Sequence, residues 1–271
     1  MKLIDCFMYF DEDLLLDIRL HILNDYVDKF VISEATKDHA GNKKKLNFNI
    51  KNFSKFKDKI IYIIEENLPT EVSTFKKNWS PDWHRENTHR DSLLKGYKNF
   101  LDDDHIMISD LDEIPNPKSI KLFEIKNQYG CFLQKNFSTK LNLLNETISI
   151  WPGTKICVKK YLKSPQWLRN IKTKQQTFWK FYKPKNLQLI HNGGWHFSFL
   201  KNPESISKKI KSYAHQELNR EEFTNLDSIN QRIERKKDIF DRNYSYKKIE
   251  INNEFPDYIL KNKDKLSDWI I

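Results

Sequence analysis

Asp110-Leu111-Asp112 follows directly on a short apolar run, residues 105–109. From an extended backbone, two carboxylates one residue apart point the same way and share one hard divalent cation, and such a cation bridges two phosphates. Ile114-Pro115 ends the turn. The same acidic residues, coming after Asp102-Asp103-Asp104, would equally serve as a solvated surface loop. A second cluster, Asn192-Gly193-Gly194-Trp195-His196-Phe197-Ser198, sets a histidine behind paired glycines and between aromatics. Its imidazole either completes a metal site with the two aspartates or is a satisfied core histidine. The candidate ligands are thus Asp110, Asp112 and His196, and the candidate ion is Mn2+ or Mg2+.

The elements that would position these groups follow from hydrophobic patterning. Residues 3–9, 29–33, 59–64 and 105–109 are apolar runs of strand length, and 14–23 places Leu15, Ile18 and Ile22 on one helical face. Ser80, Pro81 and Asp82 predict a helix start, with Leu94, Tyr97 and Leu101 as its buried stripe. Strands alternating with helices imply an α/β fold with a Rossmann-type, mostly parallel sheet, whose ligands bind beyond the carboxyl ends of the strands. Asp110 stands at such an end. Residues 131–199 suggest a mixed sheet extension with loops. Asn202 and Pro203 open a helical tail in which Ile206, Ile210, Tyr213 and Glu217 share a face. Further helices are expected over 229–240 and 256–270, so residues 202–271 form a helical C-terminal annex to a catalytic domain spanning 1–201.

Composition bounds the rest. Only 6 glycines and 9 prolines, with 13% aromatic residues, argue for a globular chain rather than a disordered one. No stretch approaches the length of a membrane span, and Cys6, Cys131 and Cys157 are too few and too scattered for a disulfide framework. The expectation is a soluble, cytoplasmic protein with buried thiols. The net charge of +10 is regional, because residues 147–203 hold 11 Lys or Arg and no Asp or Glu. Such a segment attracts phosphate-bearing partners, or is simply a solvated lysine-rich face.

Read in order, Asp5-Cys6-Phe7 with Phe10 and Glu12, the segment 27–34, His39 and Gly41, Asp110 to Pro115, and Gly194 to Ser198 with Pro203-Glu204 and Lys209 resemble glycosyltransferase family 17. The resemblance runs from Asp5 to about Glu217. It implies a GT-A-like fold, a nucleotide-sugar donor (UDP-N-acetylglucosamine in the best-known members), a divalent cation and inversion at the anomeric carbon. Residues 136–185 match poorly, and no counterpart is expected of the membrane anchor and lumenal stem of the animal members. The acceptor is therefore expected to be a surface polysaccharide or lipid-linked glycan, anionic in one version, with peripheral membrane contact through 155–185.

Under that resemblance Asp112 and its cation neutralise the departing diphosphate, and a carboxylate takes the proton of the acceptor hydroxyl. From 127 to 203 the only acidic residue is Glu146, which leaves Glu146, Glu113 and Glu217 as base candidates. Glu217 ranks first, since burial on the face with Ile206, Ile210 and Tyr213 would raise its pKa. Glu34 at its strand end is a candidate for the nucleoside, and Arg85 and Arg90 for the phosphates. A metal-dependent nucleotidyltransferase or phosphohydrolase shares the Asp-x-Asp logic but lacks its usual glycine-rich loop here. A nucleic-acid-binding module would use the lysines of 155–185 with Trp167, Phe178, Trp179 and Tyr182, leaving the aspartates unexplained.

Overall fold

The computed structural model describes residues 1–70, 80–173 and 187–271. Ten strands form one sheet: β1 Leu3–Met8, β2 Lys29–Ala35, β3 Ile60–Glu65, β4 His105–Ser109, β5 Glu113–Pro115, β6 Tyr129–Ser138, β7 Leu143–Asn145, β8 Ile150–Val158, β9 Leu187–Ser198 and β10 Tyr246–Lys248. The α-helices among the described residues are α1 Asp13–Leu23, α2 Pro81–Asp91, α3 Leu94–Tyr97, α4 Pro117–Ile120, α5 Pro165–Arg169, α6 Pro203–Ser212, α7 Glu221–Thr224, α8 Leu226–Glu234 and α9 Asp257–Lys261. The central order is β10-β7-β6-β8-β4-β1-β2-β3, with β9 paired to both β5 and β6.

The strands β1 and β4 are near-continuous apolar runs because both faces of the sheet are covered. Ile4 and Cys6 point into one buried cluster with Leu93, Tyr97 and Leu168, while Phe7 points into the other with Leu16, Ile18 and Ile259. That alternation is the two-residue period of an extended chain. Cys6, Cys131 and Cys157 are free and buried, and burial raises all three thiol pKa values. The tail is not purely helical or set apart: Ile206, Ile210, Phe223 and Ile229 form a cluster with Phe199 and Phe240, whereas Ile251, Phe255 and Ile259 join the main core and β10 pairs with β7.

The α/β expectation holds, but the sheet is mixed rather than mostly parallel. Parallel pairing joins β3-β2-β1-β4 and β6-β9, whereas β4-β8, β8-β6, β6-β7, β7-β10 and β5-β9 are antiparallel. The cause is visible in the chain: from β6 onward few helices intervene between strands, and parallel neighbours need long crossovers. Residues 131–173 and 187–199 form the mixed extension expected there. The helix after Ser80 ends at Asp91, and its buried face is polar: Arg85, Asn87, His89 and Arg90. Leu94 and Leu101 are exposed, so only Tyr97 of the expected stripe is buried. In the tail, Asn202 caps α6 by accepting from the Ser205 N–H. The later helices are shorter than expected, α8 stopping at Glu234 and α9 at Lys261. No helix among the described residues is long and apolar enough to cross a membrane.

Candidate active site

A cleft of about 430 Å³ opens beyond the carboxyl ends of β1, β2 and β4. Residues 8–10, 37–39 and 110–112 form that side of it, and Arg90, Arg169, His196 and Lys209 close it from α2, α5, β9 and α6. This is where ligands bind in open parallel sheets.

The Asp110-Leu111-Asp112 turn is held from below by Arg19 of α1, a fully buried side chain. Its Nη1 donates to the carbonyls of Asp110, Leu111 and Glu113 at 3.2, 3.2 and 2.8 Å, and its Nη2 donates to Ser109 Oγ at 2.6 Å. One guanidinium thus supplies the donors that a tight turn leaves wanting.

Asp110 is enclosed by cations. Arg90 Nη2 lies 3.0 Å from Oδ1 and Arg169 Nη2 lies 3.0 Å from Oδ2. Desolvation opposes its ionisation, but Arg169 and Arg90 outweigh that and hold the carboxyl well below the usual carboxylate range. Arg90 also donates to Gln166 and to Glu86 Oε1, the latter at 2.7 Å, and its buried Nε has no partner among the described residues. Lys209 Nζ stands 3.5 Å from Asp112 Oδ2; desolvation lowers its pKa, and Asp112, Glu12 and Asp110 raise it overall.

Asp112 faces His196. Asn136 Nδ2 donates to the Ile148 carbonyl, which turns its Oδ1 toward His196 Nδ1 at 2.9 Å. Nδ1 therefore carries a proton, and in the neutral ring Nε2 presents its lone pair toward Asp112 Oδ1, 3.8 Å away. Trp151 stacks on the ring at 4.6 Å and 21°. A carboxylate and an imidazole nitrogen facing each other, the imidazole oriented by a second hydrogen bond, suit a divalent cation. Asp110 stands in the same cleft, with one guanidinium on each of its oxygens. Among the described residues no three His, Cys, Asp or Glu side chains converge as a metal cluster.

The cleft thus brings together Asp110, Asp112, His196 and Arg90. Other expected residues lie elsewhere or are engaged. Glu113 is buried, accepting two hydrogen bonds from Arg169 and one each from Trp151 Nε1 and the Asp110 N–H, so no lone pair is left for a proton transfer. Glu217 is not on the buried helical face: α6 ends at Ser212, Tyr213 is extended, and Glu217 sits exposed in a 3-10 turn. Desolvation raises its pKa, but the hydrogen bond and charge of His215 at 2.7 Å, with a backbone hydrogen bond, outweigh it and lower it overall, the reverse of the expected direction. Glu146 is exposed at the end of β7. Glu34 is fully buried and spent on its own fold, accepting from Lys44, Tyr62 and the Asn47 and Phe48 N–H groups. Arg85 braces a loop, bonding the His39 carbonyl and Asp82.

The basic middle is also quieter than its charge suggests. Lys155 is buried, Lys159 pairs with Asp102 and Lys160 with Asp103, so among the described residues part of the basic segment is matched by the acidic loop. Phe178, Trp179 and Tyr182 lie outside the described residues. The residues missed by pattern reading are Arg19 and Arg169. Arg169 spans 56 and 59 positions to reach Glu113 and Asp110, and no local motif marks such a distance.

Residues 1–256 match glycosyltransferase family 17. The chain is 24% identical to the β-1,4-mannosyl-glycoprotein 4-β-N-acetylglucosaminyltransferases of rat and human, over 73% of its own length. It spans about 40% of the length of these curated relatives. Among solved structures, a glycosyltransferase involved in the glycosylation of the major capsid of PBCV-1 is similar at 15% identity and a TM-score of 0.32, over 70% of this chain and 81% of that one.

Proposed function

The chain belongs to glycosyltransferase family 17, and from that membership we propose that it moves N-acetylglucosamine from UDP-N-acetylglucosamine to a hydroxyl of a glycan or glycolipid acceptor. The chief support is the convergence of Arg90, Arg169 and Lys209 on Asp110 and Asp112 in one cleft. Two guanidinium groups and an ammonium gathered at one cleft supply charged donors of the kind that bind a leaving diphosphate. The buried Arg90 Nε is one donor available to a phosphate oxygen. The names of the relatives support the sugar, N-acetylglucosamine.

Asp112 and His196 would hold a divalent cation, Mn2+ or Mg2+, supplying Lewis-acid stabilisation to the leaving group. The chain's own side chains bind and orient the rest. Inverting displacement also needs a carboxylate to receive the acceptor's proton. Of those lining the cleft, Glu12 and Asp110 are held strongly acidic by neighbouring cations, Asp38 is bonded to Asn42, and Asp112 belongs with His196. That leaves Glu86 on α2, engaged through Oε1 by Arg90.

The test is incubation with Mn2+ and a panel of nucleotide sugars, following slow donor hydrolysis. Selective release of UDP from UDP-N-acetylglucosamine is expected. Release of a nucleoside monophosphate, or no turnover of any nucleotide sugar, would reject the reading in favour of other diphosphate chemistry.

A further inference from the structure

His39 and His89 form a hydrogen-bonded pair in the cleft wall, and its proton positions follow from its ends. His89 Nε2 lies 3.1 Å from the Ser33 carbonyl, which only accepts, so Nε2 carries a proton. In the neutral ring His89 Nδ1 is then a lone pair, and His39 Nε2, 3.2 Å away, must donate to it. In neutral His39 the remaining lone pair is on Nδ1. Both rings are neutral at ordinary pH, because burial lowers each pKa to about 3, with Arg90 adding to the effect at His39 and His39 at His89. His39 lines the cleft and is only half-buried, and its Nδ1 takes no hydrogen bond among the described residues.

The backbone around His39 is fixed as firmly as the ring. Its N–H and that of Ala40 donate to the carbonyl of Ser212, the last residue of α6, and its own carbonyl accepts from Arg85 Nε at 2.7 Å. A preorganised neutral acceptor is thereby set in a wall whose other prominent groups are the cations Lys37, Lys44 and Arg90. His39 stands after β2, beside Phe10 at the end of β1, whereas the aspartates stand after β4. The cleft thus offers cations for a diphosphate and, at His39, a neutral acceptor set among them.

We propose that His39 Nδ1 accepts a hydrogen bond from the nucleoside half of the donor, either a base N–H or a ribose hydroxyl, with His89 as the positioning residue that keeps the proton on the far nitrogen. This rests on the nucleotide-donor reading above. Histidine tautomers are inferred here from partners and are directly measurable.

The experiment uses the full chain with 15N-labelled histidine and long-range proton–nitrogen correlation spectra, with and without UDP. His39 is expected to show an unprotonated Nδ1 before ligand is added, and a shift at that nitrogen on addition. His39→Ala should weaken UDP binding about tenfold, one neutral hydrogen bond, and His39→Asn, which keeps a polar atom near Nδ1, should recover part of the loss. The two sources separate with analogues: 2′-deoxy-UDP or N3-methyl-UDP, whichever loses no further affinity in His39→Ala, lacks the group that His39 binds. A proton on Nδ1, or UDP binding that leaves His39 unshifted and His39→Ala unimpaired, overturns the inference alone. Failure of UDP to bind the wild-type chain, with the tautomer as expected, overturns the nucleotide-donor reading and the inference with it.

Discussion

Arg19 closes a fully buried two-pronged ion pair with Asp5, its Nε and Nη2 lying 2.8 and 2.6 Å from the two carboxylate oxygens. The pair joins α1 to β1 beneath the turn that carries Asp110 and Asp112. Removing one partner leaves the other charge buried and unmatched, which costs about 3–5 kcal/mol. Asp5→Asn is expected to destabilise the chain by that order in urea unfolding, and to lower turnover beyond the loss of folded protein.

Asp112→Asn should leave the fold intact, since among the described residues its side chain meets only Lys209 and His196. Transfer should fall by at least about a hundredfold, the scale of losing one aligned electrostatic contact at a leaving group. Circular dichroism and a transfer assay on the same preparation check this. Near-normal turnover by a folded variant would remove Asp112 from the site.

Two glutamates should part company. Glu86→Gln is expected to abolish acceptor transfer while UDP affinity changes by less than about threefold. Glu217→Gln should keep transfer within about twofold of wild type, because Glu217 is exposed and does not itself line the cleft, touching it only through His215. The opposite result, Glu217→Gln dead and Glu86→Gln active, would restore the ranking read from the sequence.

Glu12 gives the chain a pH signature. Burial raises its pKa, but Lys201, Lys209 and the N–H groups of Asp11 and Phe10 outweigh it, leaving a folded value of about 2 against 4.5 unfolded. A depressed carboxyl contributes stability above its unfolded pKa and loses it as pH falls through the folded one. The stability gap between wild type and Glu12→Gln should therefore be about 3 kcal/mol near pH 6 and close progressively between 4.5 and 2. A gap independent of pH in urea titrations would contradict the assignment.

What the sequence made legible was local. An acidic pair at a strand end and a histidine behind paired glycines are short patterns with direct geometric meaning, and the cleft contains both. The contacts that complete the site are long-range: Arg19 reaches 91 positions to Asp110, and Lys209 reaches 97 to Asp112. Glu217 was misplaced because helical periodicity carries no stop signal as strong as the extended backbone at Tyr213. Glu113 was read as available because a motif shows which residues are acidic, never which are already hydrogen-bonded. The partners of Lys159 and Lys160 were hidden for the same reason, lying 57 positions upstream.

The pairing of β5 with β9 sets Glu113 opposite His196 and Pro115 opposite Gly194. Gly194 has φ +129°, and a Cβ there would sit 2.1 Å from the Ile114 carbonyl oxygen, while one on Gly193 would sit 2.5 Å from the Leu133 nitrogen. A side chain at either position would part the strands, and a one-residue slip would turn His196 to the opposite face. In a saturation library the two glycines should therefore stand out as intolerant of every replacement, alanine included, although neither needs to touch a substrate. They act as a ruler, measuring the distance between a histidine and an aspartate 84 residues apart.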